Sequence, residues 1–272
     1  MADGLLSGKR GIVLGVANEK SIAWACAQAC SEQGAELAFN YLGPLERRVR
    51  KLTDTLPGTP LVLPCDVTKD EEIKSFFGTI KKQWDQIDFV IHSIAFAERD
   101  DLMNPFIETP RDHFALALDV SAYSLVAVTR EAAPLMAEGG SIIAMTYYGA
   151  EKLVPKYNVM GVAKAALEAC ARYLAGDLGP RNIRVNCISA GPLRTLSASA
   201  IPGMKQMLNA SGDVSPLRRN VTQEEVAKTA LYLLSDLSSA VTGETVHVDC
   251  GYNILGMYFP ETIPGMESGP KG

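Results

Sequence analysis

The feature that most constrains this chain is a repeated alternation, in which short apolar runs are each followed by an amphipathic stretch of helical period. "KRGIVLGV" precedes "SIAWACAQACSEQG", "AELAFNY" precedes "LERRVRKLTDTL", and "PLVLPCDV" precedes "DEEIKSFFGTIKKQW". "IDFVIHSIA" then leads into "RDHFALALDVSAYSLVAVTREAAPLM", which reads as one long helix, and "GSIIAMTYY" into "YNVMGVAKAALEACARYLAGDLG". "IRVNCISAGP" connects through about 30 residues to "QEEVAKTALYLLSDL", and "GETVHVDCG" closes the series. Runs apolar on both faces predict a parallel sheet covered on both sides, with right-handed crossovers. The expected class is therefore α/β: one doubly wound, Rossmann-type domain over residues 1–272, with a central seven-stranded sheet. A chain of this length buries roughly three quarters of its unfolded surface, enough for one large core. The tail over 260–272 is expected to fray.

Charge and cysteine usage exclude other classes. A net charge of −5 argues against a nucleic-acid binder. No run approaches the roughly 18 apolar residues of a membrane span, and "MADGLLSGKR" lacks a signal-peptide core. The cysteines Cys26, Cys30, Cys65, Cys170, Cys187 and Cys250 form no CxxC pair and no metal-like cluster. They read as reduced core residues of a cytoplasmic protein that binds no metal. His92, His113 and His247 are paired with no nucleophile and read as structural.

In such a sheet ligands bind beyond the carboxyl ends of the strands. The first end, "VLGVANEKSIAWA", has Gly15 closing the strand and Ser21 opening the helix, where a pyrophosphate would meet backbone N–H groups. Ser21 is expected to cap the helix and to offer its hydroxyl to a phosphate. Asp66 ends the third strand and can accept from an adenine amino group or cap a helix. Ser93, Ile94 and Ala95 end the fourth with small or apolar side chains beside a ribose and nicotinamide. Tyr147 ends the fifth. The sixth runs into "SAGPLRT", with the backbone at Leu193 facing a nicotinamide amide and Thr195 reaching the pyrophosphate.

The segment "YNVMGVAKAAL" carries the chemistry. On an ideal helix Tyr157 and Lys164 fall within about 20° of one face and about 10 Å apart along the axis. Met160 belongs to the same stripe. A lone lysine among small apolar residues requires a partner, and ribose hydroxyls would serve.

From "SGKRGIVLGVANEKSIA" to "GETVHVDCGY" the chain resembles the short-chain dehydrogenases/reductases, and within them the enoyl-acyl carrier protein reductases of bacterial fatty acid synthesis. The marks are the G-x5-S-I-A turn, the Tyr-x6-Lys of "YNVMGVAK", and "RVNCISAGPLRTLSASAI". The resemblance implies a homotetramer that uses NADH, in some members NADPH, to saturate the trans-2 double bond of an enoyl thioester borne by acyl carrier protein. It implies Tyr157 as catalytic tyrosine, Lys164 as ribose-binding lysine and Tyr147 as a second pocket tyrosine. Cofactor contacts carry over to Gly15, Ser21, Ile22, Asp66, Val67, Ser93, Ile94, Lys164, Leu193 and Thr195. The displaced tyrosine has a chemical reason. Hydride adds at C3 while charge collects on the C1 oxygen, so the donor must stand farther from the nicotinamide than in a ketone reductase. Met160 then fills the vacated place near the acyl chain, and Ser121 falls where ordinary reductases carry an asparagine.

Residues 193–213 read as a lid over nicotinamide and acyl chain, with Ala198, Ile201 and Met207 on the substrate pocket beside Ala95, Tyr147, Tyr157 and Met160. Arg194, Lys205, Arg218 and Arg219 in or after it would suit an acidic carrier. Leu42 ends "FNYL" without an acidic residue, and Arg47 and Arg48 could approach a 2′-phosphate, leaving NADPH open. The rival readings are a reductase of dienoyl thioesters or ketones, and a non-catalytic nucleotide sensor. A sensor needs no proton donor, so Tyr157 together with Lys164 argues against it.

Overall fold

The computed structural model describes residues 4–195 and 204–256. Its strands are β1 (Arg10–Leu14), β2 (Glu36–Tyr41), β3 (Leu61–Pro64), β4 (Phe89–His92), β5 (Gly140–Thr146), β6 (Ile183–Ala190) and β7 (Thr245–Val248). They form one sheet in the order β3-β2-β1-β4-β5-β6-β7, and every neighbouring pair is parallel. The helices are α1 (Ile22–Glu32), α2 (Glu46–Thr53), α3 (Asp70–Trp84), α4 (Arg99–Met103), α5 (Arg111–Leu118), α6 (Ser124–Ala132), α7 (Val159–Leu178), α8 (Met204–Val214) and α9 (Gln223–Leu234).

Side chains sort by the two-residue period of a strand. Ile12 and Leu14 join Val90 and Ile142 in a core shared with α3, α6 and α7. Val13, Phe39, Ile91 and Ile143 face the opposite way, into a core shared with α1 and α9. All six cysteines are free and five are buried. Burial pushes the Cys26, Cys65 and Cys187 thiols up to about 12, so they behave as small inert core residues.

The single long helix expected over 111–136 is interrupted. Between α5 and α6 the chain makes a π-helical turn, Asp119–Tyr123. This turn sets Ser121 against the chain leaving β4, where its hydroxyl accepts from the Phe96 N–H at 2.9 Å and donates to the Phe96 carbonyl at 3.1 Å. Such turns insert one residue into a helix without ending it, so a 3.6-residue pattern does not reveal them.

The strand order reverses direction between β1 and β4, which opens a crevice at their carboxyl ends. Asn40, buried near the end of β2, ties the carboxyl ends of β1, β2 and β3 together. Its Oδ1 accepts from the Gly15 N–H at 3.0 Å and its Nδ2 donates to the Cys65 carbonyl at 3.1 Å. Asn40→Leu should leave both groups unpaired and cost about 1–3 kcal/mol. Urea unfolding should then show a lower midpoint at an unchanged slope; an unchanged midpoint would show that the carboxamide is no tie.

Candidate active site

A cleft of about 810 Å³ runs along the carboxyl edge of the sheet. Gly15, Ser21 and Ile22 line it from the turn after β1, and Asp66 and Val67 from the end of β3. Ser93, Ile94 and Ala95 line it after β4, Tyr147 after β5, and Leu193 and Thr195 after β6. Tyr157, Met160 and Lys164 form the wall beside α7. Ala198 and Ile201 lie outside the described residues, as do 196–203 of the expected lid and the tail over 260–272. The described remainder of the lid includes α8, whose Met207 accepts a 3.5 Å contact from the Tyr147 hydroxyl.

Gly15 has φ +95, and a Cβ there would overlap the Ser93 carbonyl oxygen. Only glycine lets β1 and β4 approach so closely. Ser21 stands at the N-cap of α1, but its hydroxyl does not cap the helix. It accepts instead from the Ala17 N–H at 3.1 Å and the Asn18 N–H at 3.0 Å. The loop amides compete successfully for its oxygen, which corrects the capping expectation and leaves its proton for another acceptor. The first turn of α1 carries no acidic residue, so its open N–H groups suit an anion.

Asp66 does not cap α3, whose N-cap is Lys69. Its carboxylate accepts from the Thr68 N–H at 3.0 Å and hydroxyl at 2.8 Å, with Lys69 at 3.3 Å. Partial burial opposes its charge, yet these donors hold it below the usual carboxylate range, so it remains an acceptor. Leu42 lines the cleft, whereas Arg47 lines a separate shallow depression with Glu46 and Arg50.

The helix expected to carry both Tyr157 and Lys164 begins only at Val159. Lys156 and Asn158, on either side of Tyr157, have φ +65 and +43, and these kinks place the tyrosine before the helix rather than on its face. Its ring is 8% exposed and packs with Leu102 and Met160. It lies against the bare backbone of Gly149, where a Cβ would overlap it, and meets the Tyr147 ring edge-on at 4.9 Å. Burial first, and Tyr147 second, hold the Tyr157 phenol above its ordinary value. Among the described residues its hydroxyl has no hydrogen-bond partner. Burial likewise raises Tyr147, with Tyr252 adding to it. Met160 Sδ lies 3.8 Å from the Ser121 hydroxyl.

Lys164 is buried and donates from Nζ to the Met145 carbonyl at 2.7 Å. Among the described residues it has no ion pair, and burial pushes it down to about 8. His92 Nε2 pairs with the Ser124 hydroxyl at 2.8 Å; burial first, and Lys164 second, push it down to about 3 and keep it neutral. His113 meets Asp101 at 3.1 Å and His247 meets Glu151 at 2.7 Å, both as structural pairs. Arg219 is already paired with Glu225 at 2.6 Å, whereas Arg218 is exposed and donates only to the neutral Asp213 carbonyl at 2.6 Å. Arg194 is exposed, and the side chain of Lys205 lies outside the described residues. Sequence reasoning missed Asn40, Leu102 and Asn158, whose importance comes from partners distant in the chain.

The family model for enoyl-(acyl carrier protein) reductase matches residues 15–253. A curated NADH-specified enoyl-acyl-carrier-protein reductase of Bacillus cereus is 56% identical over 93% of this chain and 99% of its own. One from Rhizobium meliloti is 52% identical over 94% of each chain. A crystal structure of the Bacillus cereus enoyl-acyl carrier protein reductase with NADP+ and an indole naphthyridinone superposes with TM-score 0.92, at 55% identity over 93% of this chain and all of that one. The Anaplasma phagocytophilum enzyme in complex with NAD superposes at 0.91, with 47% identity, covering 95% of this chain and 99% of that one.

The burial of Lys164 has a consequence for stability. Its folded pKa lies below its unfolded value, so over pH 8 to 10 the unfolded chain binds the extra proton and stability rises with pH. Wild type should therefore gain on Lys164→Met across that window in urea unfolding. Parallel curves for the two proteins would show that the ammonium is not desolvated.

Proposed function

The chain belongs to the enoyl-(acyl carrier protein) reductase family, and we propose that its cleft binds NADH and reduces the trans-2 double bond of enoyl thioesters on acyl carrier protein during fatty acid elongation. The observation that carries this reading is a protonated phenol on the cleft wall, Tyr157, with no hydrogen-bond partner among the described residues and set apart from a buried ammonium, Lys164.

The cleft fits a dinucleotide. Gly15 supplies a floor that no side chain obstructs, the open N–H groups of α1 and the Ser21 hydroxyl suit the pyrophosphate, and the Asp66 carboxylate accepts from an adenine amino group. Ile22, at the start of α1, borders the pyrophosphate, Val67 the adenosine end beside Asp66, Ser93 and Ile94 the ribose and nicotinamide, and Leu193 and Thr195 the carboxamide and phosphates. When bound, the reduced nicotinamide supplies a hydride.

Lys164, fixed by the Met145 carbonyl, presents its remaining donors to ribose hydroxyls. Tyr157 donates to the thioester carbonyl oxygen, where negative charge collects as C3 is reduced. A neutral phenol in a dry wall strengthens that hydrogen bond most when the charge has developed. Its raised pKa keeps the donor protonated throughout the physiological range. Tyr147 braces the phenol edge-on, and Met160, Leu102 and Ala95 give the acyl chain an apolar path. Met207 of α8, against the Tyr147 hydroxyl, extends that path.

A homotetrameric assembly in the cytoplasm completes the proposal. Tyr173, 80% exposed on α7, offers an aromatic contact to a neighbouring subunit in such an assembly. Among the described residues no helix is long and apolar enough to cross a membrane.

Loss of nicotinamide absorbance with a crotonyl thioester, run in parallel with NADH and NADPH, tests the reaction; NADH should be preferred and simple ketones inert. Tyr157→Phe should lower kcat about 10²–10³-fold with NADH affinity retained. Lys164→Ala should instead weaken NADH binding. Turnover by Tyr157→Phe equal to wild type, or NADH binding unchanged in Lys164→Ala, would contradict this division of roles.

A further inference from the structure

We propose that Asn158 is a positioning residue for Tyr157. Its carboxamide, with the Lys156 ammonium, latches the tyrosine's backbone onto the C-terminal carbonyls of α4, so that phenol and cleft wall hold one register. The proposal rests on the catalytic role given to Tyr157 above.

A helix as short as α4 leaves its last carbonyls without intrahelical partners. Side chains from a remote segment satisfy them. Asn158 Nδ2 donates to the Asp101 carbonyl at 2.8 Å and to the Asn104 carbonyl at 3.0 Å, committing both of its hydrogens. Lys156 Nζ donates to the Met103 carbonyl at 3.0 Å. The two latching residues flank Tyr157, and both hold positive φ, Lys156 at +65 and Asn158 at φ +43 and ψ −123. Non-glycine residues persist in such conformations when their surroundings over-determine them. Here the carbonyl cluster of α4 is that surrounding.

What the latch holds matters for the cleft. Leu102 of α4 packs on Tyr157 and Met160 and also lines the cleft. On its other side α4 is tied to α5 by the Asp101–His113 pair at 3.1 Å. Tyr157 itself is bonded along its own chain, its N–H to the Val154 carbonyl at 3.1 Å and its carbonyl to the Met160 N–H at 3.0 Å. The latch is thus the hydrogen-bonded link between the phenol's backbone and the wall it packs against. An aspartate at 158 would set acceptors against two carbonyl oxygens.

Asn158→Gly keeps the positive-φ freedom and removes only the carboxamide; Asn158→Asp keeps the size and reverses the polarity. Both are measured for kcat with an enoyl thioester at saturating NADH and for NADH affinity, in the wild-type and Tyr157→Phe backgrounds. Each should lower kcat roughly ten- to hundredfold without weakening NADH, as misplacing a catalytic group by about 1 Å does. In the Tyr157→Phe background the loss should vanish, because no hydroxyl remains to be aimed. An equal fold-loss in both backgrounds, or wild-type kcat in both variants, overturns the latch. If Asn158→Gly loses NADH binding, Lys156→Gly, which cuts only the Met103 tie, is judged by the same criteria with a smaller loss expected. Wild-type turnover in Tyr157→Phe alone would instead overturn the role of Tyr157, and the latch with it.

Discussion

A parallel sheet that is apolar on both faces has to be covered on both, and this leaves its carboxyl edge as the place where polar groups can meet a ligand. The consequences run through the molecule. Helices α3, α6 and α7 close one face and α1 and α9 the other, so the cleft can open only along the strand ends. Where the winding reverses, β1 and β4 come close enough that Gly15 must lack a side chain. Asn40 then satisfies the Gly15 N–H after β1 and the Cys65 carbonyl after β3. The floor of the cleft is a by-product of covering the sheet.

The wall of the cleft uses the same burial to different ends. Desolvation raises the phenol of Tyr157 and lowers the ammonium of Lys164, so each is driven towards its neutral form. The tyrosine becomes a reliable donor. The lysine becomes a group whose full charge is realised when a ligand offers it more acceptors than the Met145 carbonyl alone. Separating the two groups suits a reaction in which hydride arrives at one carbon and charge collects on an oxygen two carbons further along.

Much of this was legible in the order of residues, and the parts that were not share a cause. Two-faced apolar runs and 3.6-residue stripes report burial, so the strands and helices and the positions of Gly15, Asp66, Ser93, Tyr147 and Lys164 at the strand ends or on α7 followed from pattern. Tyr157 was expected on the face of α7, yet it precedes the helix, because Lys156 and Asn158 hold positive φ without being glycine. Their anchor is α4, more than 50 residues earlier, and no local pattern announces it. Ser21 failed as a cap for a nearer reason: two loop amides reached its oxygen first. The π-helical turn at Ser121 was hidden because the stripes on both sides of it continue.

The chemistry turns on where the phenol meets the substrate, and a crystal structure of this chain with a nicotinamide dinucleotide and an enoyl thioester tests that most directly. The Tyr157 hydroxyl should lie about 2.6–3.2 Å from the thioester carbonyl oxygen, with Lys164 Nζ on the nicotinamide ribose. A structure in which the Tyr157 hydroxyl is turned into the cluster with Leu102 and Val154, with Tyr147 or water on the thioester oxygen in its place, would contradict it.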